Sequence, residues 1–122
     1  MVQTDISQLA AECADWRQIL RNYRDEYQSC EKALLEMCKK SLSKDHFTQV
    51  EHFQNQFDIQ LQNIHDLKLD IKSHERKVRQ ADTEEGVYAN HEQLLNEFLS
   101  LENTLQELRD DFRNFINNTS CP

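Results

Sequence analysis

Few side chains in this 122-residue chain have the chemistry to do more than pack, and three of them stand on the apolar seams of its helical segments: Cys13, His74 and His91. A thiol and two imidazoles form a donor set that suits zinc, or another ion taking nitrogen and sulfur ligands. A fourth ligand would come from Glu12, Glu75, Glu92 or water. No short-range motif supports the set, because CxxC, HExxH and ExxH are all absent and Glu51 follows His46 by five residues, which breaks the i, i+4 pairing. The plainer meaning of the same residues is a polar layer that fixes helix register, each imidazole bonded to a neighbouring carboxylate. His46, His52 and His65 fall off the seam and read as surface side chains.

Nothing else in the chain suggests catalysis. Asp25-Glu26, Glu84-Glu85 and Asp110-Asp111 are adjacent pairs, and adjacent helical residues point about 100° apart, so these carboxylates do not converge for acid–base work. No Gly-rich turn, phosphate-cradling loop or serine beside a base is present. The expectation is a non-enzymatic chain with no catalytic residue and no cofactor.

The elements that must position Cys13, His74 and His91 are written in the apolar periodicity. Ile6, Leu9, Cys13, Trp16, Leu20, Tyr23, Tyr27, Cys30, Leu34 and Met37 alternate steps of three and four, the heptad stripe of a helix that packs along one seam. A second stripe runs through Val50, Phe53, Phe57, Gln60, Ile64, Leu67, Ile71, His74 and Val78. A third runs from Val87 through His91, Leu94, Phe98, Leu101, Leu105, Leu108, Phe112 and Phe115. Between the first two the heptad phase slips by two residues. Coiled coils absorb insertions of three or four, so the chain turns near Ser43-Lys44-Asp45. The second turn falls at Asp82–Gly86, beside the only glycine. Gly86 reads there as a cap on the second helix, or Asp82 and Glu85 as a capping box for the third.

The predicted fold is an all-α, elongated up-down-up three-helix coiled coil with helices at about 5–42, 45–83 and 86–117. Asp5 and Gln8 would cap the first. One domain spans 1–118, and 119–122 is a tail. Folding at the two turns puts His74 and His91 at nearly one level, with Cys13 and Trp16 beside them. An up-down-up coil with Trp16 in its first helix resembles a spectrin-type repeat in outline; the third helix has no tryptophan, and no residue role carries over.

Composition narrows the partner. Net charge is −8, against nucleic acid. Lys68, Lys72, Arg76, Lys77 and Arg79 form the one local basic run, with Arg17, Arg21 and Arg24 at nearby levels. Salt-bridged solvated faces are the plain meaning of that run, and an anionic partner site the sharper one. No apolar run reaches the roughly 20 residues of a membrane span, and no leader is legible, so a cytoplasmic location is expected. A Cys38–Cys121 disulfide is the one pairing that the helix levels permit, and a reducing compartment argues against its forming. Function is expected to be protein–protein interaction or self-assembly through a homodimer or a helical partner, at a patch of Ile19, Leu69 and Leu99. The alternative is a metal- or ligand-binding bundle built on Cys13, His74 and His91.

Overall fold

The computed structural model describes residues 2–39, 43–80 and 84–119, which form three long α-helices: α1 (Val2–Cys38), α2 (Lys44–Gln80) and α3 (Glu84–Thr119). Each runs up or down the full bundle, about 55 Å at 1.5 Å per residue. The up-down-up three-helix coil is the architecture that the stripes imply.

Helix ends depart from the sequence reading in three places. Helix α1 is already helical at Val2, so Asp5 lies inside the helix rather than at its N-cap position. A cap lies on α2, where the Ser43 hydroxyl accepts the His46 backbone N–H at 3.2 Å. This is the usual answer to an unpaired N-terminal donor. Gly86 sits in the first turn of α3 rather than capping α2, and a Cβ there would meet no atom within 4 Å. Glycine costs helix stability, but only about 1 kcal/mol relative to alanine, and a first-turn position tolerates it. Asp82 and the expected tail residues 120–122 lie outside the described residues.

Stripe residues fill the core. Leu20, Tyr27, Phe57, Ile64, Ile71 and Leu105 are fully buried, and Trp16, Phe53, Phe98 and Phe112 are nearly so. One end is packed by aromatic rings, with Phe53, Phe57, Phe112 and Phe115 in edge and tilted contacts at 5.0–6.5 Å. In mid-bundle the Tyr27 hydroxyl donates to the Leu105 carbonyl at 2.6 Å, joining α1 to α3.

Ion pairs define which flanks meet. Glu26 of α1 reaches Arg109 and Arg113 of α3. The opposite flank of α1 meets α2, where Arg17 binds Glu75 at 2.9 Å. Between α2 and α3 runs an open polar groove of about 650 Å³, lined by Asp66, Asp70, Asn96, Glu97 and Ser100 over Leu67 and Leu101.

Candidate metal centre

Each helix contributes one donor to a single layer near the Val78–Val87 end of the bundle. Cys13 of α1, His74 of α2 and His91 of α3 are all buried, and their ligating atoms lie within 4.8 Å of one another. His74 Nε2 is 3.0 Å from His91 Nδ1, and Cys13 Sγ is 4.0 Å from that same nitrogen. The layer divides the core. Leu9, Val78 and Val87 form a small apolar cluster on one side, and the main core begins at Cys13 and Trp16 on the other. Trp16 covers the His91 ring at 4.7 Å between centroids.

Hydrogen bonding sets the tautomers. Glu12 Oε1 lies 2.8 Å from His91 Nε2, so that nitrogen carries a proton and donates it to the carboxylate. In neutral His91 the Nδ1 lone pair then points into the layer, towards Cys13 and His74. His74 Nε2–H donates to it, which leaves His74 Nδ1 as a buried atom with no partner among the described residues. A carboxylate behind one imidazole nitrogen while the other faces the ligand position is the outer-shell arrangement of histidine–metal sites.

Electrostatics favour neutral groups here. Burial, then the charges of Glu75 and Glu12, pushes the Cys13 thiol up to about 11, against the smaller pull of Arg17 and Arg79. Burial, with His91 and Lys77 nearby, holds His74 below the ordinary histidine value. The layer at neutral pH is therefore a thiol and a neutral His74, and an ion binding there would displace the thiol proton and require the His74 proton to move from Nε2 to Nδ1, the ring atom that has no partner. Tetrahedral zinc with its usual bond lengths sets donor atoms about 3.3–3.6 Å apart. The observed 3.0 and 4.0 Å lie on either side of that range, and with donors up to 4.8 Å apart the side chains would have to draw in around an ion. A cleft of about 290 Å³, lined by Ser73, Lys77, Asn90 and Glu97, reaches His74 but neither Cys13 nor His91.

The proposed fourth ligands separate. Glu12 bonds the outer nitrogen of His91 rather than facing the layer. Glu75 is buried but clamped by Arg17 and Arg79. Glu92 is exposed. Water is the fourth donor that remains.

The expected partner patch does not form one surface. Ile19 is half-buried against the core, while Leu69 and Leu99 are 51% and 50% exposed. Leu99 shares its heptad position with Arg113, on the flank of α3 that meets α1. Leu69 sits on the outer back of α2, and neither leucine lines the α2–α3 groove. Cys13, Cys30 and Cys38 are free thiols, and Cys121 lies outside the described residues. No helix is long and apolar enough to cross a membrane among the described residues. No family model, curated protein or solved structure matches this chain.

Proposed function

We propose that this chain is a non-enzymatic helical module whose three helices are tied together by a zinc-class ion held by Cys13, His74 and His91. One observation carries the reading: a soft donor and two borderline donors, one from each helix, converge in a layer where His91 already has its outer carboxylate in Glu12. An ion there would link α1 to α3 directly. Its free energy of binding would add to the stability of the folded bundle. Three protein ligands leave one position of a tetrahedral ion for water.

The test is isothermal titration of untagged, chelator-stripped protein with Zn²⁺. Parent protein should take up one ion per chain, and Cys13→Ser and His91→Gln should each lose at least tenfold in affinity. Absence of binding, or equal affinity in all three proteins, overturns the proposal and leaves the layer as a register-setting polar contact.

A further inference from the structure

Charge is segregated along α2 more sharply than overall composition suggests. From Asp45 to Leu67 the helix carries four acidic residues and no Lys or Arg. From Lys68 to Gln80 it carries five basic residues against Asp70 and Glu75. On the flank that α2 turns to α1, the same division continues across the groove. Burial, then the charges of Arg24 and Arg21 of α1, Lys72 of α2 and Arg17 of α1, holds the Lys68 ammonium below its ordinary value. Among the described residues Arg21, Lys68 and Lys72 have no carboxylate within ion-pair distance. Arg24 pairs only with its exposed neighbour Asp25, and Glu75 is already saturated by Arg17 and Arg79.

Further along the same groove the sign reverses. Glu31 of α1 and Asp58 of α2 face each other within hydrogen-bonding reach, and burial with that contact pushes the Glu31 carboxyl up to about 7. Beside them Leu35, 56% exposed, lines a cleft of about 360 Å³ with Lys32, Cys38 and Gln54. One face of a single chain thus holds a crowded cationic half and a crowded anionic half. Each is strained by like charge, and each is what the other lacks.

We infer that the α1–α2 face is a self-complementary interface on which two copies of this chain pack antiparallel about a two-fold axis, the Arg24 and Lys68 end of each meeting Glu31 and Asp58 of the other. Register supports a single axis. Exchanging Arg24 with Glu31 needs a two-fold between residues 27 and 28 of α1, and exchanging Lys68 with Asp58 needs one at residue 63 of α2. The cross-helix contacts Arg17–Glu75 and Glu31–Asp58 place those two points side by side, so one axis serves both pairs. The same operation sets Leu35 near Arg21, whose methylene stem can cover it. The face from Arg17 to Cys38 is about 32 Å long and two helices wide, roughly 640 Å² per copy, at the lower end of standard specific interfaces. An isologous contact of this kind closes at two copies. This inference is independent of the metal layer.

Sedimentation velocity of the full chain at tens of micromolar and low salt tests it. Parent protein should sediment as a dimer that weakens in high salt. Arg24→Glu with Lys68→Glu, and separately Glu31→Lys with Asp58→Lys, should each shift dissociation by about tenfold or more towards monomer. An equimolar mixture of the two double variants should recover the dimer, because one then presents an acidic face and the other a basic one. Circular dichroism checks that both variants keep their helices. A monomeric parent, reversal variants that dimerise like the parent, or a mixture that stays monomeric would each overturn the inference.

Discussion

Replacing Arg17 by Met removes the inner clamp from Glu75, the one buried carboxylate among the described residues. The Glu75 side chain is 7% exposed, and Arg17 binds both of its oxygens, at 2.9 and 3.3 Å. Removing one partner of a buried pair costs about 3–5 kcal/mol, mostly because the other charge is left desolvated. Arg79 still holds Oε2 at 2.9 Å but is itself 68% exposed, which argues for the lower end, about 3 kcal/mol. For a chain of this length that amounts to a fall in Tm of about 12 °C. Replacing both partners, Arg17→Met with Glu75→Leu, should return to within about 1 kcal/mol of the parent, since no charge is then buried. Urea unfolding followed by circular dichroism, at chain concentrations low enough for monomer, measures all three. An Arg17→Met variant within about 0.5 kcal/mol of the parent would mean that Glu75 is effectively solvated, and would refute the reasoning.

Three further outcomes follow from particular contacts. Saturating zinc, at a hundredfold over its dissociation constant, should raise the stability of the parent by about 2.7 kcal/mol and leave Cys13→Ala unshifted in a thermal melt. Tyr27→Phe should lose about 1 kcal/mol in chemical unfolding, because the Leu105 carbonyl, which also accepts within its helix, loses the second donor that ties α1 to α3. Glu31 has its folded pKa raised from the ordinary 4.5 to about 7, so the folded chain binds this proton more tightly than the unfolded one and stability falls as pH rises between those values. Glu31→Gln should therefore match the parent's pH trend below about 4.5 and be relatively more stable above about 7. Parallel pH profiles across that window would contradict it.

The seams were legible because burial in a helical bundle follows a strict period, and the two-residue phase slip located the first turn. Level matching along the seams was enough to bring Cys13, His74 and His91 together, since all three are seam residues. The flanks were not legible. Which flank of α1 meets α2 depends on the hand in which three helices are arranged, and heptads are silent on that. Hence Glu12, which faces α3, emerged as the partner of His91 rather than as a ligand, while Glu75, which faces α1, was drawn to Arg17. The facing of Glu31 and Asp58 was invisible for the same reason, and so was the separation of Leu69 from Leu99. Ser43 is a capping signal that the turn composition of Ser43-Lys44-Asp45 conceals, since a serine there serves a turn as readily as a cap.

The central claim is that Cys13, His74 and His91 hold one ion between them, and cobalt substitution tests it most directly. Co²⁺ titrated into chelator-stripped protein should give a thiolate-to-cobalt charge-transfer band together with visible bands of four-coordinate intensity, saturating at one ion per chain. Cys13→Ser should abolish the charge-transfer band, and added Zn²⁺ should bleach the spectrum of the parent. A featureless titration, or a charge-transfer band that survives Cys13→Ser, would contradict the account.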